Sequence, residues 1–141
     1  MRAILTILSL STLGLALLGH PGAALSQECN PADESQAGMN ICAAAGFKAE
    51  DARLNKTYRK IVARLADDPN GKKLLLAAQR DWIAFRDAEC AFATAGSAGG
   101  SIHPMLVSDC LAGLTKARAE QLAGYLDCEE GDTTCPVPPG E

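Results

Sequence analysis

The chain has 141 residues, with 17 acidic side chains, 13 basic side chains and a formal net charge of −4. A mildly acidic chain lacks the basic surface that nucleic acids and anionic membranes attract, so neither is expected as a partner. A basic protein is the partner that this charge favours. Hydrophobic residues make up 48% of the chain, which is enough for one buried core.

The first 26 residues have the features of a Sec-type signal peptide. Arg2 supplies the positive charge, residues 3–18 form an uncharged and mostly apolar run, and Ala24-Leu25-Ser26 is a small-x-small cleavage site. The apolar run is shorter than the roughly 20 residues that a membrane-spanning helix needs. We expect cleavage after Ser26, or otherwise after Ala24. The product would be periplasmic or secreted, without a stable membrane anchor.

The rest of the chain predicts one domain and a short tail. We expect a helical domain over residues 27–127 and an acidic loop with a Pro-rich tail over residues 128–141. Gly131 and the run from Pro136 to Gly140 predict that the tail is disordered or extended.

All six cysteines follow the predicted signal peptide. An even number in a small secreted domain predicts disulfides and an oxidising compartment. Metal binding is the alternative, but the spacings contain no C-x2-C motif and His103 is the only histidine after residue 26. We therefore expect no metal and no cofactor. Positions along the predicted helices favour three pairs: Cys29–Cys42, Cys90–Cys110 and Cys128–Cys135.

Residues 33–66 predict one long helix, because apolar side chains recur there at steps of three and four. Asn30-Pro31 could begin it, with Asn as the capping residue and Pro at the first helical position, and Ser35 is a second candidate cap. The turn-forming residues 67–71 end it.

Residues 72–95 predict a second helix around the only Trp of the chain. Its inward stripe is formed by Leu75, Gln79, Trp82, Arg86 and Cys90. We expect Leu76, Ala78, Ile83 and Phe85 to widen that stripe. A stripe that faces a core is normally apolar, so Gln79 and Arg86 require polar partners there.

A Gly-rich and Ser-rich loop over residues 96–101 separates the second helix from a third, which begins at Pro104 or Ser108. No alternating run is long enough to predict a strand. A short turn between the first two helices makes them antiparallel neighbours. The predicted fold is therefore all-α: a long antiparallel helical hairpin plus a third helix, stapled by disulfides.

The antiparallel hairpin brings charged side chains of its two helices together. We predict a contact between Asp51 and Arg86, with Asn55 and Gln79 meeting the remaining donors and acceptors. Arg118 of the third helix is expected to join this cluster through Glu89 or Asp51. A catalytic acid–base pair is the alternative. Because no nucleophile lies beside a base, we expect a structural cluster and no enzyme.

The loop before the third helix is the candidate binding site. Its residues are Gly99, Gly100, Ser101, Ile102 and His103. Ser101 and His103 can form hydrogen bonds with carboxylates in the cleft of a partner. A plain connector is the alternative. A phosphate-binding loop is excluded because the segment lacks GxxxxGK[ST] and follows a helix.

One set of residues resembles a known family. The set consists of Ser35-Gln36, Met39-Asn40, Cys42, Asp51-x-x-Leu54-Asn55-x-x-Tyr58, Gln79-Arg80-x-Trp82-x-x-Phe85-Arg86-Asp87-x-Glu89-Cys90, Gly99-Gly100-Ser101-Ile102, Cys110, Thr115, Arg118 and Leu122. Over about Cys29 to Leu126 it is similar to the LprI-like lysozyme inhibitor domain of small secreted bacterial proteins. The resemblance implies an α-helical fold and inhibition of lysozyme.

We therefore expect a periplasmic or secreted binding protein that blocks a lysozyme-type muramidase by occlusion rather than by chemistry. A basic lysozyme would be steered toward an acidic chain by long-range attraction. The alternative is a protein–protein interaction or assembly module of the cell envelope with no role toward lysozyme.

Overall fold

The computed structural model describes residues 28–129 and 131–139. They form three α-helices, α1 (Gln36–Arg64), α2 (Pro69–Ala93) and α3 (His103–Gly124), with a 3-10 helix (Ala95–Ser97) between α2 and α3. No strand occurs among the described residues, and the all-α prediction is confirmed. The predicted signal peptide, residues 1–26, lies outside the described residues.

Side-chain caps determine where α1 and α2 begin. The Ser35 hydroxyl accepts a hydrogen bond from the Gly38 amide at 3.1 Å, so α1 begins three residues later than expected. Asp68 accepts from the Gly71 amide at 2.9 Å and precedes Pro69, which suits the first helical position. Of the residues 67–71 expected to form a turn, 67 and 68 lie between the helices and 69–71 open α2.

The hydrophobic core lies mainly between α1 and α3. These two helices make the closest backbone packing of the molecule, whereas α2 packs mainly against α3. The expected hairpin is present in the order of its helices, but its two members are not the closest pair. Small side chains such as Ala119, which is fully buried, let α3 approach α1 closely. The core cluster consists of Leu54, Ile61, Leu65, Ala119, Leu122 and Val137.

The predicted inward stripe of α2 is buried or half-buried along its whole length. The expected widening of that stripe is wrong. Leu76, Ile83 and Phe85 are 41%, 40% and 56% exposed, and Ala78 is also exposed. The neighbouring helices cover only a narrow strip of α2, so the residues on both sides of that strip reach solvent.

The tail after α3, which was expected to be disordered or extended, packs on the core through Val137. Val137 is 4% exposed and belongs to the core cluster. A disulfide between Cys128 and Cys135 closes the loop that precedes it. Because Val137 comes two residues after this disulfide, the bridge shortens the segment that must be ordered to place it.

Two further disulfides join Cys29 to Cys42 and Cys90 to Cys110. All three pairs are those expected from the sequence. The first ties the segment before α1 to its second turn, and the second ties the end of α2 to α3. Among the described residues, no helix has both the length and the hydrophobicity needed to cross a bilayer.

Candidate functional site

Arg86 lies at the centre of a polar cluster between the helices. Its guanidinium is 2.8 Å from the Asp87 carboxylate, 4.0 Å from Asp51 and 3.4 Å from the buried Thr115 hydroxyl. Asn55 donates a hydrogen bond to Asp51 at 2.8 Å. The expected contact between Arg86 and Asp51 is therefore present but long, at 4.0 Å, and the Asp51 side chain is 44% exposed.

Aromatic rings complete the surroundings of Arg86. Its guanidinium carbon lies 5.2 Å from the centre of the Trp82 ring and 5.4 Å from that of Phe47. Both distances are in the range of a cation–π interaction. The two rings thus enclose a cation that belongs to the protein itself, which leaves no aromatic cage for an external one at this position.

Arg118 occupies a separate part of the interior. It donates to the Gln79 side chain at 3.2 Å and to Gln121 at 2.6 Å. Its guanidinium also lies 5.9 Å from the Trp82 ring, on which Arg86 stacks as well. The expectation that Arg118 joins the cluster through a carboxylate is wrong, because its guanidinium donates to the side-chain amide oxygens of Gln79 and Gln121 instead. Trp82 therefore links two polar groups that share no hydrogen bond.

Sequence reasoning missed two partners of Arg86. Asp87, its neighbour in the chain, gives it the shortest ion pair of the cluster, and Thr115 is fully buried beside it. The spacing of Thr115 from Arg118 by three residues places both on one side of α3. That spacing was the available indication that a third helix would supply a hydroxyl.

The candidate binding loop is held in place at several points. The Thr94 hydroxyl donates to the Cys90 carbonyl at 2.7 Å, and Ser97 donates to the Thr94 carbonyl at 2.8 Å. Asn40 of α1 donates to the Ser101 carbonyl at 3.0 Å. Gly99 has a φ of +81°, a conformation that suits glycine. These hydrogen bonds hold the loop in place, and its residues 99–102 are exposed.

His103 is anchored at the base of this loop. Its Nδ1 lies 2.8 Å from the Ser97 hydroxyl oxygen. Because the single hydroxyl hydrogen of Ser97 points to the Thr94 carbonyl, Nδ1 is assigned as the donor in this pair. Nε2 is then the nitrogen that can accept a hydrogen bond from a ligand. Ser101 and Ile102 are exposed beside it.

A depression of about 550 Å³ adjoins the loop and is lined by Asp87, Thr94, Ala98 and His103, among others. The loop and this depression form one end of the molecule, where α2 ends and α3 begins. Among the described residues, no cluster of His, Cys, Asp or Glu has the arrangement of a metal site. The side chains of Asp87, Thr94 and His103 offer hydrogen-bonding groups along this depression.

Comparison with known proteins places the chain in a family. The family described as "Lysozyme inhibitor LprI" matches residues 27–122. The chain belongs to the LprI lysozyme inhibitor family. It is also 41% identical over 107 residues to "Uncharacterized protein R02472" of Rhizobium meliloti (strain 1021), a match that covers 68% of this chain and 77% of the relative. No solved structure matches the chain.

The match to the LprI family spans α1, α2, the candidate loop and nearly all of α3. It ends at Leu122, so the Cys128–Cys135 loop and Val137 lie beyond it. The helices and their polar cluster are thus within the part of the chain that the family match covers, whereas the docked tail is outside that part.

Proposed function

We propose that the protein, after export and disulfide formation, binds a lysozyme-type muramidase and blocks its substrate cleft. Membership of the LprI family over residues 27–122 is the observation that carries this proposal. Three disulfides support export, since such bonds persist in oxidising compartments such as the periplasm and the extracellular space. The loop offers the Ser101 hydroxyl and the His103 ring as hydrogen-bonding groups, which suits inhibition by occlusion.

The ordered loop of residues 99–103 is the segment that we place in the cleft. An inhibitor that presents a loop already held in its bound form avoids part of the entropy cost of binding. The anchoring bonds from Asn40 and Ser97 provide this preorganisation. Residues 99–102 of the loop are exposed, so they are accessible to the concave surface of a partner.

The hydrogen-bonding groups of the loop match the two carboxyl groups of a muramidase. In such an enzyme one carboxyl group holds a proton as general acid while the other is ionised. Nε2 of neutral His103 would accept a hydrogen bond from the protonated group. The Ser101 hydroxyl would donate one to the ionised group. Both would occupy positions that the substrate needs.

Charge supports the encounter of the two proteins. The chain is acidic, with a formal net charge of −4, and a basic muramidase would be attracted to it over about one Debye length. This attraction raises the association rate more than it lengthens the life of the complex. Inhibition should therefore develop more slowly as salt is added.

Lysis of purified cell walls by a basic lysozyme tests the proposal. The exported and oxidised protein at increasing molar ratios should lower the lysis rate toward zero. The double variant Ser101→Ala with His103→Ala should weaken inhibition by about a hundredfold, because it removes two hydrogen bonds to charged or polar groups of the cleft.

The matched control is Asn70→Ala, an exposed substitution in the first turn of α2, at the opposite end of that helix. It should inhibit as well as the wild type. Undiminished lysis at a large molar excess of wild-type protein would contradict the proposal and leave the envelope assembly module as the remaining hypothesis.

A further inference from the structure

A cleft of about 400 Å³ lies between the first half of α2 and the other two helices. It follows from the packing of the helices, because α1 and α3 lie close together whereas α2 packs less closely on either of them. Its volume is in the range of small-molecule binding sites. The aliphatic side chains that line it come from α1, α2 and the tail: Ile61, Leu65, Leu74, Leu75 and Val137.

Arg118 of α3 brings a positive charge to this cleft, and it is the one cation of the described lining. Its Nε donates to the side-chain oxygen of Gln79, and its Nη1 donates to that of Gln121. Both acceptors are uncharged amides. Over the described residues, no carboxylate pairs with Arg118 and its Nη2 donates no hydrogen bond. The guanidinium therefore retains both its charge and free donors for an anion.

Tyr125 adds a second donor beside Arg118. This residue lines the cleft, and its hydroxyl accepts a hydrogen bond from Gln121, the residue that also accepts from Arg118. A phenol hydroxyl can accept and donate at once, so its own hydrogen stays available for an anion. Because Gln121 joins the two donors, they lie at the same end of the cleft.

The one acid of the described lining, Asp68, lies at the other end of the cleft. Its carboxylate caps α2 by accepting from the Gly71 amide at 2.9 Å. Asn70 is near this cap, Ala78 is next to the partner of Arg118, and these two lining residues are about 12 Å apart along α2. The cleft therefore has a cationic end, an apolar middle and an acid that is turned toward its own helix.

We propose that this cleft binds a free aliphatic carboxylate, such as a medium-chain fatty acid. The carboxylate accepts hydrogen bonds from Nη2 of Arg118 and from the Tyr125 hydroxyl. The chain lies along the apolar walls toward Asn70, where it displaces water from aliphatic side chains. A guanidinium binds a charged acceptor more strongly than a neutral one, so the cleft prefers the carboxylate to the corresponding alcohol.

This site is independent of the proposed inhibition of muramidases. The cleft lies beside the first half of α2, whereas the loop of residues 99–103 comes after the end of that helix. A bound carboxylate therefore leaves the loop accessible. Failure of inhibition would contradict the proposed function alone, and failure of carboxylate binding would contradict the proposed ligand of the cleft alone.

Titration of the exported, oxidised protein with decanoate, at concentrations below those at which it forms micelles, tests the site. Trp82 is the only Trp of the chain, and its ring lies 5.9 Å from the guanidinium carbon of Arg118. Its fluorescence should therefore change in a saturable manner as the carboxylate binds. Isothermal titration calorimetry should give a one-to-one ratio. Decanol should bind at least about tenfold more weakly, because it lacks the charge.

A first pair of variants tests the role of the charge. Arg118→Gln should raise the dissociation constant for decanoate about tenfold and leave that for decanol unchanged. Lys116→Gln is the matched control, since it removes the same charge from an exposed position of α3 outside the described lining. It should leave the binding of decanoate unchanged.

A second pair of variants tests the position of the chain without changing Arg118. Ala78→Phe should abolish binding of both ligands, because the ring would fill the cleft from an exposed position rather than from the core. Ala84→Phe, an exposed change on α2 outside the described lining, is the control and should bind like the wild type. Melting temperatures verify that each variant is folded.

Three results would overturn the proposal. The first is the absence of saturable decanoate binding by the wild type. The second is an equal affinity of the wild type for decanoate and decanol, which would remove the role of the guanidinium. The third is an equal effect of Ala78→Phe and Ala84→Phe, which would place the ligand outside the cleft.

Discussion

At the scale of single residues, we expect Arg86 to contribute more to stability than Asp51, the carboxylate that was expected to pair with it. Its side chain is 11% exposed and contacts two rings, one hydroxyl and two carboxylates, whereas Asp51 is 44% exposed and stands 4.0 Å away. A pair with one half-exposed member is screened by water, so it lacks the large penalty that a closed buried pair would suffer when broken.

Arg86→Ala should therefore lower the free energy of unfolding by about 3 kcal/mol, because it leaves a cavity between two rings and an unsatisfied buried hydroxyl at Thr115. Asp51→Ala should lower it by less than about 1 kcal/mol. Urea denaturation followed by the fluorescence of Trp82 measures both, and Lys73→Ala, an exposed change on α2, is the control. Equal losses for the two variants would show that the ion pair dominates the cluster.

A second prediction at this scale concerns Asp132 in the loop closed by Cys128 and Cys135. The Thr134 hydroxyl, at 2.7 Å, and the Thr134 backbone amide, at 2.8 Å, donate to this carboxylate and hold its pKa below the ordinary value of 3.8. The folded loop therefore gains stability that is fully present above the unfolded pKa and is lost as pH falls through the folded pKa.

Thr134→Val removes the hydroxyl donor and should move the pKa of Asp132 back toward its ordinary value. Carboxyl carbon shifts followed by NMR across the acid range measure this pKa directly. Asp33, whose pKa is lowered by hydrogen bonds from Ser35 before α1, serves as the internal reference whose titration should not change. An unchanged Asp132 titration in the variant would show that the hydroxyl bond does not form in solution.

At the scale of helices, the periodicity of α2 identified its inward stripe but not the neighbour that the stripe meets. Steps of three and four show which side of a helix is buried, and they apply equally to any partner. The closer packing of α3 on α1 depends on residues such as Ala119 and Leu122, whose effect appears only when the helices are assembled. For the same reason, periodicity could not predict that Phe85, an apolar residue expected at the edge of the inward stripe, is exposed.

The candidate loop shows a similar division between what sequence could and could not predict. Glycine and serine composition indicated a loop between α2 and α3. In the structure α2 ends at Ala93, a 3-10 helix covers Ala95–Ser97, and α3 begins at His103 instead of at Pro104 or Ser108. The order of the loop could not be predicted, because the bond from Asn40 to Ser101 joins residues 61 positions apart. Contacts over such separations depend on how helices pack, which composition does not encode.

At the scale of the whole molecule, the segment after α3 packs against the C-terminal end of α1. Val137 belongs to the core cluster with Leu65 of α1, and Arg64 donates to the Leu126 carbonyl at 2.6 Å. The tail therefore connects the end of α1 with the end of α3. Proline-rich composition predicted a disordered or extended tail and gave no sign that it packs on the core, because a single apolar residue beside a disulfide has no periodicity.

Val137→Ala should lower the free energy of unfolding by about 2 kcal/mol, since a nearly buried side chain is shortened and the helices around it cannot close the gap. Thr133→Ala, an exposed change in the same tail, should cost less than about 0.5 kcal/mol. Urea denaturation of both oxidised variants, compared at their midpoints, measures the difference. Equal midpoints would show that Val137 leaves the core in solution, whereas a loss confined to Val137→Ala would show that the tail stabilises the helical domain.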